Sequence, residues 1–229
     1  MPSSSDPVSA VTTAPTTPTV PTTPAAAAAV TTAGPARVMP GASVEPGASL
    51  GAGTTVWHQA AVRAGASVGR HCIIGRGAYL GPGVRLGNNV KVQNHALIYE
   101  PATLDDGAFV GPAVVFTNDT YPRAVTPDGR LKTADDWDAV GVSVGEGASV
   151  GARAVCVAPV RIGRWALVAA GAVVVRDVAD FALVAGVPAR RIGWVGRAGA
   201  PLEDLGGDRY RCPQTGAEFV ERDGALHED

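Results

Sequence analysis

The chain has 229 residues, a formal charge of −2 and 46% hydrophobic content, enough for one folded domain with tails. That near-neutral balance gives no electrostatic footprint for nucleic acid or an anionic membrane surface. With 29 Gly and only 5% aromatic residues, the composition disfavours a helical bundle or an α/β sheet, whose cores need larger side chains. It suits a narrow solenoid packed with Gly, Ala and Val.

Residues 1–36 are almost entirely Ser, Thr, Pro, Ala and Val, with Asp6 the only charged side chain. Such a segment buries too little apolar surface to offset its ordering entropy, so it is expected to be a disordered tail. A tether and a dispensable extension are both compatible with it. No apolar run approaches the roughly 18 residues of a membrane span. Ala25–Val30 is too short for a signal-peptide core, and no basic residue precedes it. Three cysteines, none in a CxxC pair, fit a reducing compartment, so a cytoplasmic protein is expected.

From Val38 an aliphatic or aromatic residue falls at every sixth position: Val38, Val44, Leu50, Val56, Val62, Val68, Ile74, Leu80, Leu86, Val92, Ile98, Leu104, Val110 and Phe116. Four residues after each sits a small or β-branched side chain, as in Ala60, Cys72, Ala78 and Ala96, and Gly often follows the aliphatic directly, as in Gly51, Gly75, Gly81 and Gly111. A period of six is neither helical nor alternating-strand spacing. It is the hexapeptide repeat of a β-helix, in which three hexads close a triangular coil. The large aliphatics fill the prism, the small residues fit near the corners, and Gly serves the turn.

Residues 117–141 break the register with charge and proline. The repeat resumes at Val144, Val150, Cys156, Ile162, Val168 and Val174, with Ala148, Ala154, Val160, Ala166, Ala172 and Val178 in the small row. From Phe116 to Val144 is 28 residues, not a multiple of six, so the segment is an excursion from the solenoid, and long polar loops of this kind usually carry function. Cys72 and Cys156 fall on inward positions and read as core residues, not nucleophiles. Residues 37–198 therefore form the β-helix domain, with Ala185–Arg190 as its cap. Residues 199–229 form an acidic C-terminal appendage, where a lone Cys212 cannot build a zinc site.

Residues 18 apart lie one above another at the strand spacing of about 4.8 Å. One corner column then reads Trp57-His58, Gly75-Arg76, Gln93-Asn94 and Gly111-Pro112; the next reads Gly81-Pro82, Tyr99-Glu100 and Thr117-Asn118. The excursion leaves at Asn118, directly over Glu100 and one face from Gln93-Asn94. Against a functional role, Trp57 and Tyr99 serve equally well at a subunit interface, and a lone His58 or His95 is more commonly a satisfied surface residue.

The run from Val56-Trp-His58 through Lys91-Val-Gln-Asn94, Tyr99-Glu100, Val110-Gly-Pro112, Val115-Phe-Thr-Asn-Asp119 and Pro122-Arg123 resembles one branch of the hexapeptide acyltransferases, as do Gly171–Val178 and Gly193-Trp194. That branch N-acetylates 3-amino sugars on nucleotides, such as UDP-2-acetamido-3-amino-2,3-dideoxyglucuronate and dTDP-3-amino-3,6-dideoxyhexoses. The resemblance implies a left-handed parallel β-helix, an acetyl-CoA co-substrate, a nucleotide-sugar acceptor and a homotrimer with sites between subunits. The chain departs from it at His95, Val157 and Arg176, where Asn, Gly and Lys are common. Some hexapeptide-repeat proteins are three-histidine carbonic anhydrases. Here His71 and His95 are 24 apart, on different faces, and no metal is expected.

The resemblance makes Asn118 the catalytic-site residue that orients the acceptor amine, where many relatives carry a histidine base; asparagine cannot take up the proton. The CoA thiolate is then the proton acceptor, with Asp119, Glu100 or His58 as rival bases. Gln93, Asn94, Tyr99, Glu100, Asp119, Arg123 and His58 are the substrate-side candidates. Arg176, Arg190 and Arg191 are the candidates for the CoA phosphates. An O-acetyltransferase acting on a sugar or small-molecule hydroxyl, and a non-catalytic scaffold, are the alternatives.

Overall fold

The computed structural model describes residues 34–229, so the disordered tail expected over residues 1–36 lies almost wholly outside the described residues. Each hexad from Val38 to Phe116 becomes a two-residue strand, Arg37–Val38 to Val115–Phe116, and these strands pair in parallel with one another at 18-residue steps, as in Lys91↔Phe109 and Leu97↔Val115. Three parallel sheets result. The first face contains Thr55–Val56 and Lys91–Val92, the second Tyr79–Leu80 and Leu97–Ile98, and the third Arg85–Leu86 and Thr103–Leu104. The architecture is a left-handed parallel β-helix of about eight coils.

Alternation within each strand decides what enters the prism. The second residue points inward: Val56, Leu80, Val92, Ile98 and Phe116 are completely buried, with Ala60, Ala78 and Ala96 beside them at the corners. Thr54 puts one hydroxyl into this apolar column. Its Oγ1 donates to the Gly69 carbonyl at 2.8 Å and accepts the Cys72 N–H at 2.9 Å, so the group is satisfied. Outward residues give the faces different chemistry. The third carries Ser67, Arg85 and Thr103, whereas the second presents Ala61, Tyr79, Leu97, Val115, Val155 and Val173.

The corners correct one expectation. The glycine after each aliphatic is needed for space, not for the turn: a Cβ on Gly111 would lie 2.6 Å from the Ala152 nitrogen of the next coil. The left-handed backbone falls two residues later, at Gly77 (φ 64°), Asn89 (57°), His95 (59°) and Ala113 (55°). Between these positions stands a third kind of residue. Asn88 and Asn94 accept, through Oδ1, the backbone N–H of Arg70 and Arg76 one coil below, each at 2.9 Å. Asp106 and Asp180 do the same for Asn88 at 2.7 Å and Arg164 at 2.8 Å. These side chains satisfy corner N–H groups that the sheet ladders leave over.

Leu104 pairs with Val144, a step of 40 residues in place of 18, so the excursion inserts 22. It is internally braced. Val125 and Leu131 form an antiparallel bridge, and Arg130 grips Asp136 through Nη2–Oδ1 at 2.6 Å and Nη1–Oδ2 at 3.0 Å. That guanidinium, with the Thr133 N–H, holds the Asp136 carboxyl far below the usual range. The last hexad is two residues short: Ile162 bridges to Val178 and Val168 pairs with Val184, each 16 apart. Val178, expected in the small row, therefore takes an aliphatic place.

An antiparallel hairpin, Ala182–Ala185 with Arg190–Trp194, ends the first face. Residues beyond it form a four-stranded antiparallel meander, Glu203–Gly206, Arg209–Arg211, Glu218–Arg222 and Ala225–Glu228. Phe219 meets Phe181 edge-on at 5.5 Å, and Glu221 accepts from Trp194 Nε1 at 2.8 Å and Tyr210 OH at 3.0 Å. Burial pushes the Glu221 carboxyl up, but the donors Trp194, Tyr210 and Arg191 outweigh it and hold it below its ordinary value. The folded value lying below the unfolded one, this stabilisation is complete above about pH 4.3 and is lost as pH falls through the folded value. Acidification below about pH 4 is expected to loosen the meander, seen in the Trp194 indole resonance, and Glu221→Gln to flatten that response.

Candidate active site

Most of the catalytic and substrate-side candidates lie in two pockets on either side of the second face. At the corner between the second and third faces, where the excursion leaves, a pocket of about 350 Å³ is lined by Tyr99, Asn118, Asp119, Thr120, Pro122 and Val157. Stacking places Tyr99 and Asn118 here: Tyr99 follows Ile98 and Thr117 follows Phe116, and these two strands pair. Val140 N–H donates to the Asn118 carbonyl at 3.0 Å, so the Asn118 backbone closes the loop at a residue that also lines the pocket. Thr117 Oγ1 accepts the Ala158 N–H at 2.9 Å and ties the loop's root to the coil above.

Each of the other candidates has a definite environment. The Tyr99 ring packs on Tyr79 at 5.3 Å. The Asp119 carboxylate accepts the Tyr121 N–H at 2.7 Å, a local turn that occupies one oxygen. Glu100 belongs to the same corner but is turned down over Gly81. Arg123 is exposed on the loop, and its Nη1 donates to the Pro122 carbonyl at 2.9 Å.

The second place is the corner between the first and second faces. His58, Gln93 and Asn94 line a pocket of about 320 Å³ together with Trp57 and Arg76. Asn94 spends its Oδ1 on the Arg76 N–H, and Arg76 Nε donates to Gln59 Oε1 at 3.0 Å. Trp57 is 41% exposed, a large apolar surface beside these polar groups. His71 and His95 are both turn residues with positive φ, and His95 lies against Gly77.

The arginine candidates divide. Arg176, Arg190 and Arg191 line one cavity of about 250 Å³ beneath the terminal hairpin. Arg191, however, is paired with Glu221 at 3.2 Å and stacked over the Trp194 ring at 4.2 Å, so its charge is committed to anchoring the meander. Arg176 and Arg190 are exposed. Neither inward cysteine is a nucleophile: burial pushes the Cys156 thiol up to about 12, and the Cys72 thiol is raised by the same cause.

Sequence reasoning did not make Arg76, Thr120, Pro122 or Val157 site candidates, although Arg76, Pro122 and Val157 appear in its columns and motifs. Arg76 was accessible through the 18-residue step to Asn94. Val157 was hidden because the 22-residue insertion changes the step between Thr117 and its upper neighbour.

Residues 65–99 and 141–176 match the family described as hexapeptide repeat of succinyl-transferase, in agreement with the solenoid's own register. The structure and this match agree that the described chain is a β-helix built on hexapeptide repeats, with a pocket at the root of its excursion loop. It is 41% identical over 83 residues to dTDP-3-amino-3,6-dideoxy-alpha-D-galactopyranose 3-N-acetyltransferase of Aneurinibacillus thermoaerophilus, covering 36% of this chain and 42% of that relative. It is 32% identical over 112 residues to serine acetyltransferase of Haemophilus influenzae, covering 48% and 39%. The chain therefore spans about two fifths of the length of these curated relatives. A UDP-N-acetylglucosamine acyltransferase from Bacteroides fragilis shares the fold, with a TM-score of 0.57 and 15% identity over 70% of this chain and 61% of that one.

Proposed function

We propose that the protein transfers an acetyl group from acetyl-CoA to the 3-amino group of a nucleotide-linked amino sugar. The observation that carries this reading is the loop-root pocket, where Asn118 replaces the histidine base that a hydroxyl acceptor usually needs. An amine is nucleophilic once neutral, so the pocket has chiefly to position it and remove one proton. The match to a dTDP-3-amino sugar N-acetyltransferase supports the same chemistry.

Acetyl-CoA supplies the acyl thioester. The Asn118 amide orients the acceptor nitrogen, Tyr99 and Pro122 wall the pocket, and the exposed Arg123 guanidinium pairs with an anionic group of the nucleotide sugar. The proton lost by the amine ends on the CoA sulfur. Arg176 and Arg190 are the groups fitted to CoA phosphates, while Arg191 is occupied by Glu221.

A homotrimer suits this arrangement. The two pockets flank the apolar outward row of Tyr79, Leu97, Val115 and Val155, and burying that row against copies of the chain sets one copy's loop pocket beside another's Trp57–Gln93 corner. No helix among the described residues is long and apolar enough to cross a membrane, and the expected location is the cytoplasm. The test is release of free thiol from acetyl-CoA against a panel of UDP- and dTDP-3-amino sugars, with mass by light scattering. Turnover of at least one amino sugar by a three-chain particle is expected. Turnover of only hydroxyl acceptors, or of none, defeats the reading.

A further inference from the structure

Among the described residues, one rung of the corner ladder has no partner. Asn94 lies over Gly75, Asp106 over Gly87 and Asp180 over Gly163, and each oxygen takes the N–H of the residue after that glycine. Glu100 holds the equivalent place on the loop corner, its Oε2 over Gly81. The residue after Gly81 is Pro82, which has no N–H to give. Oε2 is accordingly buried with no hydrogen-bond partner. The other corner acceptors are held in place by what they bind. Glu100, one methylene longer than Asn or Asp, can turn about its side-chain bonds without breaking a hydrogen bond.

Extending the Ile98↔Phe116 register by two residues puts Asn118 above Glu100, at a strand spacing of about 4.8 Å. Glu100 lies outside the pocket lining; the carboxylate that does line the pocket, Asp119, is occupied by the Tyr121 N–H, and His58 stands across the second face. We infer that Glu100 is a catalytic residue, the carboxylate that turns from Gly81 towards Asn118 and receives the proton of the acceptor amine. This rests on the N-acetyltransferase reading. In the step, the amine nitrogen bonds to the thioester carbonyl carbon, the C–S bond breaks with its electron pair on sulfur, and one N–H proton passes to Glu100. Protonated Glu100 then gives that proton to the thiolate, which restores the carboxylate and releases the thiol.

Pro82 provides the discriminating variant because it does not line the loop pocket. Pro82→Ala supplies the missing N–H, so Glu100 is expected to be held down like Asn94. The amide at position 82 should be protected from hydrogen exchange and kcat should fall at least about tenfold, with the KM for acetyl-CoA unchanged. Glu100→Gln should lower kcat about 100-fold and remove the acidic limb of the pH–rate profile. Wild-type kcat in both variants would make Glu100 a structural residue and overturn the inference. Wild-type turnover is measured first, because its absence strikes the N-acetyltransferase reading and not the free carboxylate. In that case an unprotected amide at position 82 in Pro82→Ala still overturns the inference.

Discussion

Asn118→Ala lowers acetyl transfer to an amino sugar at least about tenfold and leaves the assembly intact, an effect worth about 1.4 kcal/mol or more in the transition state. The two halves of that expectation come from different atoms of one residue. The Asn118 carbonyl holds the loop closed through the Val140 N–H, and alanine keeps that bond. Asn118 lines the pocket, and its side-chain amide is what alanine removes. The variant should therefore elute, scatter and melt like the wild type while kcat/KM from thiol release drops. Unchanged turnover would move the site away from the loop root, towards the Trp57–Gln93 corner, whose polar groups are already partly engaged by Arg76 and Gln59.

Most of the fold was legible because the solenoid is nearly one-dimensional. Once Val38, Val44 and Leu50 set the register, every strand and every stacking relation up to Phe116 followed by counting. Counting failed where insertions or deletions changed the step: after Phe116, where the loop hides Val157, and after Val174, where two missing residues moved Val178 into the aliphatic row. The meander was illegible for another reason. Its buried residues, Cys212, Phe219 and Leu226, are few, are spread along the meander and are surrounded by charge. What orders it is the convergence of Trp194, Tyr210 and Arg191 on Glu221, a contact that no periodicity encodes.

The site was half legible. Column stacking brought Tyr99, Glu100 and Asn118 to one corner and His58, Gln93 and Asn94 to another; in the structure Tyr99 and Asn118 line one pocket and the second trio another, while Glu100 is turned over Gly81 outside the first lining. Stacking could not tell a free side chain from a committed one. Asn94 and Glu100 look alike in the sequence, both polar residues two places after an aliphatic. The coil beneath separates them: Arg76 offers an N–H and Pro82 does not. Arg176 and Arg191 differ in the same way, since only the second faces the meander's Glu221.

Phe116→Ala is expected to have the largest effect on stability, about 3–5 kcal/mol, against a typical total of about 5–15. Phe116 heads the fully buried side chains by volume, is completely inaccessible and stacks between Ile98 and Cys156. The prism wall cannot close around a lost ring because each coil is held on both sides by parallel ladders, so most of the volume stays as a cavity. The damage also reaches the site. Thr117 follows Phe116 and fixes the loop's root by donating its N–H to the Cys156 carbonyl at 3.0 Å and accepting the Ala158 N–H at 2.9 Å. Any relaxation into the cavity pulls on Thr117 and hence on Asn118. Phe116→Ala should therefore lose denaturant midpoint and turnover together. Phe116→Leu, which retains most of the volume, should cost about 1 kcal/mol and keep most of its activity. An alanine variant within about 1 kcal/mol of wild type would mean that the prism is looser at the loop coil than its burial implies, and the loop root would then owe its position to Thr117 and Val140 alone.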